Sequence, residues 1–311
     1  MCNYAKKKES LIIVRGAGDL ATGAIYALWL AGYPVIALEV AQPTAIRHAV
    51  ALSEAVYDGK AVVEGMEGIL AHSTEEALQI TDAGKVAIMV DPRGETIEKL
   101  KPMAVVDAIL AKRNLGTRHN MAPLTIALGP GFVAGSTEAR RVEVGSAESG
   151  RAEMESTESS ARVEADVDVV IETMRGHNLG RLILSGSALP NTGVPGVIAG
   201  HAADRVMHTP AAGVFRSVRA IGDSVDKGEV IAYIETEAGD RVPLEASLTG
   251  ILRGILRDGT IVPVHMKAAD IDPRPEQRQN CFTISDKSRS IGNSVLTAVE
   301  AWRSGRLKEI G

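Results

Sequence analysis

Residues 11–40 read LIIVRGAGDLATGAIYALWLAGYPVIALEV, and this stretch decides the fold. Leu11 to Val14 is a short apolar run, and Gly16-Ala17-Gly18 is a turn. Leu20, Ala24, Ala27, Leu28 and Ala31 then recur at helical spacing, so one helix face packs on a sheet. Gly32 stands where a helix C-cap glycine belongs, and Val35 to Val40 is a second apolar run. Strand, glycine turn, helix, strand is the opening unit of a dinucleotide-binding sheet. Gly16 permits the tight turn, Gly18 lets backbone approach a pyrophosphate, and Ala17 lies between them. Ala21, at the third glycine position, is still small enough for close helix packing. The helix start offers free N–H groups and a positive dipole end to an anion. Asp19 opposes a phosphate there, and Arg15 is placed to offset it. Glu39, ending the second run, is placed to accept a ribose hydroxyl and favours an unphosphorylated ribose.

Working outward, three further strands are expected: Lys85 to Val90 ending in Asp91-Pro92, Ala104 to Val106 ending in Asp107, and Leu124 to Leu128 ending in Gly129-Pro130-Gly131. Short buried runs that stop at Asp, Gly or Pro are expected of parallel strands whose carboxyl ends face a ligand crevice. Asp91 and Asp107 are therefore candidate catalytic carboxylates, or else caps of the turns they begin. Lys112-Arg113-Asn114-Leu115-Gly116-Thr117 either binds an anion with Arg113 and Asn114 or is a solvated basic loop. Gly129 and Gly131 join the predicted cofactor-binding set. Ala45 to Tyr57 is expected to be helical, Val62-Val63 a short strand, and Thr74 to Leu78 a helix start with Ser73 as cap and Glu76 at capping-box distance.

Residues 136–165 are rich in Ser, Glu, Arg and Gly and are expected to form a disordered surface insertion. A helix is expected at Asp166 to Met174 and a strand at Arg181 to Leu184. Between them, His177 is either an acid–base group or part of a helix C-terminus ended by Gly176. From Val214 to Ile271 two similar half-units of short strands and glycine turns resemble the barrel-sandwich hybrid of biotinyl and lipoyl domains. The hairpin Glu235-Thr236-Glu237-Ala238-Gly239-Asp240-Arg241 has no lysine, so no covalent lipoyl or biotin arm is expected. Asn293 to Trp302 reads as an amphipathic helix docking on the body. Cys281 is read as a buried thiol or, with Arg278 and Lys287 near in sequence, as a reactive one.

Composition narrows the function classes. The net charge of −5, with no clustered Lys/Arg face, argues against nucleic acid. Two cysteines make neither a disulfide framework nor a metal cluster by themselves, and no metal is predicted. The one stretch long enough for a membrane span, Ala21 to Ala41, is broken by Gly23, Gly32, Pro34 and Glu39, so no span and a cytoplasmic location are expected. The expected architecture is α/β, a Rossmann-like parallel sheet with a β-rich C-terminal part. It divides into residues 1–135 (nucleotide-binding), 136–165 (insertion), 166–212 (continuation of the α/β domain), 213–273 (barrel-sandwich-hybrid-like) and 274–311 (tail and docking helix).

Arg15-Gly16-Ala17-Gly18-Asp19-Leu20-Ala21-Thr22-Gly23 resembles the opening of the YqeB-type accessory proteins of selenium-dependent molybdenum hydroxylases. So do Glu54-Ala55-Val56-Tyr57, Leu128-Gly129-Pro130-Gly131-Phe132, Arg175-Gly176-His177-Asn178-Leu179-Gly180-Arg181, Pro190-Asn191-Thr192-Gly193, Asp270-Ile271-Asp272-Pro273-Arg274 and Ile284-Ser285-Asp286-Lys287. The N-terminal unit is also similar in kind to the Rossmann half of xanthine dehydrogenase accessory proteins. The resemblance implies maturation of a molybdenum enzyme, with the hydroxylase or its cofactor as partner, and it leaves a homo-oligomer open. NAD(P) and a molybdopterin dinucleotide are the candidate ligands. The alternative is an NAD-dependent oxidoreductase with Glu39 selecting NAD and His177 or Lys112 as acid–base group. A third reading, a scaffold that docks the hydroxylase, predicts no nucleotide binding.

Overall fold

The computed structural model describes residues 10–135, 165–193 and 199–310. Strand β1 (Ile12–Arg15) leads through the glycine turn into helix α1 (Asp19–Leu30) and on to β2 (Val35–Glu39). Two single helical turns and the short α2 (Ala55–Asp58) stand where one longer helix is expected from Ala45. The strands β3 (Lys60–Val63) and β4 (Met66–Ala71) form a hairpin, followed by α3 (Thr74–Asp82), β5 (Val86–Val90), α4 (Glu95–Leu100), β6 (Ala104–Asp107) and β7 (Leu124–Leu128). Beyond the undescribed residues 136–164 come β8 (Val169–Ile171) and β9 (Leu182–Ile183). The expected disordered insertion lies outside the described residues, apart from Ala165.

These strands make one nine-stranded sheet in the order β3-β4-β5-β2-β1-β6-β7-β8-β9. It is parallel from β4 to β8, with antiparallel edges at β3 and β9. The chain winds outward from β1 to one side through β2 and β5, and to the other through β6, β7 and β8. The order therefore reverses between β1 and β6, where a doubly wound sheet opens its ligand crevice. Alternation along the strands sorts the core onto two faces. Ile12 and Val14 join α1 and the C-terminal helix α5 (Asp286–Arg303) on one face. Leu11 and Ile13 pack with Ile97 and Leu100 of α4 and Ala77 of α3 on the other. The sequence places α5 too late, at Asn293. Ser285 caps its true start by accepting a hydrogen bond from Ser288 N–H at 3.1 Å.

The segment expected as a helix from Asp166 to Met174 is instead the strand β8, buried throughout. Its Val169-Val170-Ile171 run is β-branched, and such side chains fit a strand between layers better than a helix. Gly176 thus ends no helix.

At Ser73 the sequence expectation holds. Its hydroxyl accepts from Glu76 N–H at 3.1 Å, and Glu76 accepts from His72 N–H at 2.8 Å. Replacing Ser73 by Ala should cost about 1 kcal/mol of stability, measured by urea denaturation.

Residues 206–272 form two four-stranded antiparallel sheets around a separate core that includes Phe215, Ile231, Leu252 and Ile271. The strands are β10 (Val206–His208), β11 (Gly213–Ser217), β12 (Ser224–Val225), β13 (Val230–Glu235), β14 (Arg241–Glu245), β15 (Gly250–Ile255), β16 (Ile261–Val262) and β17 (Lys267–Asp272). The sheet orders are β10-β17-β15-β12 and β14-β13-β11-β16. Each half lends its short strand, β12 or β16, to the sheet of the other half. This β-rich unit is fastened to residues 46–58. Ile255 N–H donates to the Ile46 carbonyl at 2.8 Å, and Arg257 donates to Glu54 and Asp58 while lying over the Tyr57 ring. No helix among the described residues is long and apolar enough to cross a membrane.

Candidate functional site

The carboxyl ends of β1, β2 and β6 open into a cavity of about 590 Å³, lined by Gly16, Gly18, Glu39, Asp91, Ala108 and Ile109 among others. Gly16 takes φ +98°, and a Cβ there would meet the Ala108 carbonyl oxygen at 3.0 Å, so both backbone and packing require glycine. Gly18 differs. Its φ of −69° suits any residue, and a Cβ there would have nothing within 4 Å. Neither conformation nor protein packing accounts for glycine at this position; what a side chain would occupy is the crevice itself.

The carboxylates around this turn are committed to the protein. Glu39 Oε2 accepts from Ala17 N–H and Oε1 from Val40 N–H, both at 2.8 Å. Burial pushes the Glu39 carboxyl up against these two bonds. Glu39 thus braces the glycine turn instead of presenting both oxygens to a ribose. Asp19 is gripped by Arg47 at 3.0 and 3.1 Å. Asp91 starts α4: its oxygens accept from the backbone N–H groups of Gly94, Glu95 and Thr96 at 2.7–3.1 Å. Burial alone would raise its pKa, but those bonds prevail and hold it below the usual carboxylate range. Asp91 also lines the cavity, so it caps and faces the crevice at once.

Asp107 and Arg15 are level in paired strands and are 2% and 4% exposed. Arg15 donates to Asp107 at 3.4 Å, to Thr117 Oγ1, and to the Leu115 carbonyl at 3.3 Å. Thr117 Oγ1 in turn donates to Asp107. Burial pushes the Asp107 carboxyl up, against the Thr117 bond and the Arg15 charge. This is a buried structural pair: Asp107 does not line the crevice, and Arg15 is ion-paired with Asp107, while Asp19 is paired with Arg47.

Several expected site residues lie elsewhere. Asn114 organises its own loop, bonding Thr117, Gly116 and Asp166 at 2.8–3.0 Å, and Arg113 is exposed beside Gly131. Neither Arg113 nor Asn114 lines the crevice, but Lys112 does. Gly129 and Gly131 lie in close approach to Thr173 and Arg113, which already requires glycine at both positions, and neither lines the crevice. His177 is exposed on a turn and faces neither chamber of the crevice. Cys281 is 1% exposed in the core of the β-rich unit, and burial pushes its thiol up, which disfavours a thiolate nucleophile.

A second chamber of about 630 Å³ shares Asp19, Leu20, Arg47, Leu110, Arg253 and Lys267 with the first. Its charged lining is Arg47, Lys112, Arg175, Arg205, Arg253, Lys267 and Lys287 against Asp19 and Glu172. The local field is positive in a chain of net charge −5, and a walled cleft focuses such a field. The sequence reading missed this chamber. Arg205, Arg253, Lys267 and Lys287 come from four separate segments that only the fold unites. One signal was present: Lys287 lies within a stretch quoted above for its resemblance. Arg175 also ties the loop after β8 to α5, donating to Asp286 at 2.7 and 2.8 Å. The guanidinium holds the Asp286 carboxyl at about 2, burial opposing it. A depressed carboxylate contributes stability above its ordinary pKa and loses that contribution as pH falls toward the depressed value. In Arg175→Ala, Asp286 should titrate near its ordinary value of about 4, read by carboxyl-carbon NMR.

No protein-family model matches the chain. It is 47% identical over 292 residues to uncharacterized protein YqeB of Escherichia coli (strain K12), an alignment covering 94% of this chain and 47% of that protein. The chain therefore spans about half the length of that curated relative. Among solved structures, a succinylglutamate desuccinylase/aspartoacylase of Rhodobacter sphaeroides aligns over 22% of each chain at 22% identity and a TM-score of 0.21. An aspartoacylase family protein of Mesorhizobium loti aligns over 84% of each chain at 11% identity and a TM-score of 0.24. Superpositions that poor carry no argument about activity. The relationship these comparisons establish is one of sequence: the chain is similar, along nearly its whole length, to YqeB.

Proposed function

We propose that the crevice binds a nucleotide-containing cofactor and that the chain acts as an accessory protein in maturing a selenium-dependent molybdenum hydroxylase. Gly18 carries the binding half of this reading. A glycine that the backbone does not need, at the order reversal of a doubly wound sheet, keeps the crevice floor open for a ligand. The strand order β5-β2-β1-β6-β7-β8 supports reading residues 1–135 with the continuation from 166 as a Rossmann-like domain, but that continuation stops before β10 (Val206–His208), which pairs with β17 in the β-rich unit, and not at residue 212. The exchange of β12 and β16 between two four-stranded sheets supports reading 213–273 as a barrel-sandwich hybrid that closes the crevice. Residues 274–311 are then a tail whose helix docks on α1. The molybdenum assignment rests on sequence resemblance, extended by the 47% identity to YqeB. NAD(P) and a molybdopterin dinucleotide are the candidate ligands, and the hydroxylase is the proposed partner in the cytoplasm.

The second reading, an NAD-dependent oxidoreductase, keeps Lys112 as a crevice-lining acid–base group but loses His177. A gene deletion separates the two. The accessory role predicts loss of molybdenum hydroxylase activity, restored by the wild-type gene but not by Gly18→Val. Unchanged hydroxylase activity, or hydride turnover with NAD by the purified protein, would contradict it.

A further inference from the structure

We propose that the second chamber, not the glycine turn, is the phosphate site of the crevice. It takes the diphosphate or phosphomonoester group of the ligand, and the glycine turn takes the uncharged nucleoside end. This inference rests on the nucleotide reading above and reverses the placement expected from the sequence.

The first chamber is poorly suited to a phosphate. Glu39 and Asp91 face this chamber only, and Arg15 is ion-paired with Asp107; the Asp19–Arg47 pair stands between the two chambers. Arg253 and Lys267 line both chambers, with Arg253 donating to Asp270 of the first; the rest of the first chamber's lining is largely apolar, including Leu20, Pro43, Ile46 and Ile109, which suits a base and sugar.

The second chamber is more cationic. Lys112 and Lys287 line this chamber only and Lys267 lines both, and none of the three makes an ion pair among the described residues. They stand on three separate elements: the loop after β6, β17 and the first turn of α5. Arg205, 5% exposed, lines the same chamber; its Nη1 donates to the Ile271 carbonyl at 3.2 Å and stands 3.8 Å from Asp270, while its Nε, like that of Arg47 between the chambers, has no hydrogen-bond partner among the described residues. A buried guanidinium N–H left unsatisfied is costly unless an acceptor arrives. The eighteen-residue helix α5 begins at this wall, with Ser285 and Lys287 in the lining, and brings its positive dipole end to the same place. The acid Glu172 lines the chamber too, with each oxygen accepting one backbone bond, from Met174 and Leu189 N–H at 2.7 and 2.8 Å. Lysines outside any ion pair, a buried arginine with one N–H unbonded and a helix start converging on one chamber are the chemistry of a phosphate-ester site.

The test is calorimetric titration of the full chain with inorganic pyrophosphate, CDP and cytidine, on wild type, Lys112→Gln/Lys287→Gln, whose two lysines line the second chamber alone, and Gly18→Ser. Pyrophosphate should bind wild type and weaken about a hundredfold in the double lysine variant, at roughly tenfold per charge-assisted contact. Gly18→Ser should leave pyrophosphate binding unchanged and weaken CDP. Lys112→Gln by itself, on an exposed loop, repeats the lysine test without touching α5, should the double variant be poorly folded. Pyrophosphate binding that survives the lysine changes but is lost in Gly18→Ser would put the phosphate on the glycine turn. That result would overturn the inference and leave the nucleotide reading standing. Pyrophosphate binding that needs the lysines, with no gain from the nucleoside of CDP, would support the anion site and remove the nucleotide reading. No binding of either phosphate compound would overturn the inference outright.

Discussion

Asp107→Ala should destabilise the protein by about 3–5 kcal/mol, the cost of removing one partner from a buried charge pair. The change leaves Arg15, 4% exposed, beside a void, and takes an acceptor from Thr117 Oγ1. The loop at residues 115–117 should loosen with it, because Arg15 also holds the Leu115 carbonyl. Asp107→Asn, which keeps an acceptor for Ile109 N–H, should cost less. Urea denaturation of the three proteins gives the ordering directly. A catalytic Asp107 predicts the opposite pattern: a stable variant without activity.

The second large effect is expected where two helices cross. Gly23 of α1 and Gly292 of α5 lie back to back. A Cβ on Gly292 would stand 2.2 Å from the Gly23 carbonyl oxygen, and one on Gly23 would stand 2.3 Å from Ser288 Oγ and 2.4 Å from the Ser288 carbonyl oxygen. These neighbours are mainly backbone, so neither helix can yield by a rotamer change. Gly292→Ala should cost about 3 kcal/mol, at the upper end of overpacking penalties. Ser288 Oγ also donates to the Asp19 carbonyl at 2.8 Å, fixing the start of α5 to the start of α1. Separating the helices therefore shifts Ser285 and Lys287 relative to the glycine turn. The measurement is thermal unfolding of Gly292→Ala beside Gly18→Ser. The first should melt well below wild type, and the second should melt with it.

The contrast between these glycines marks how far the sequence was readable. The βαβ unit of residues 11–40 was legible because its signals are local: an apolar run, a turn, a helical period, a second run. The ends of β5, β6 and β7 were legible for the same reason, as was the Ser73 cap. The roles of the residues at those ends were not. Whether Asp107 faces a ligand or an arginine depends on which strand lies beside it, and Arg15 is 92 residues away in the chain. Glu39 was correctly placed at the crevice, but its bond to Ala17 N–H comes from the tightness of the turn, which spacing does not encode. Residues 166–174 were misread because a short apolar run bounded by Asp168 and Glu172 does not by its period alone tell a strand from a helix segment. The β-branched run between them decides the matter once strands flank it. The cationic chamber was illegible for a different reason. Each of its lysines and arginines reads alone as a solvated surface charge, and only the docking of the β-rich unit onto residues 46–58 turns them inward.

The central claim is that the crevice above Gly18 holds a nucleotide-containing cofactor. Calorimetric titration of wild type and Gly18→Ser with NAD, NADP, molybdopterin cytosine dinucleotide and CTP tests it most directly. Serine keeps a good helix N-cap, so the fold is undisturbed while a side chain enters the crevice. The account predicts that at least one of these ligands binds wild type and weakens roughly a hundredfold, about 2.7 kcal/mol, in Gly18→Ser at an unchanged melting temperature. Equal binding to both proteins, or no binding to either, would contradict it.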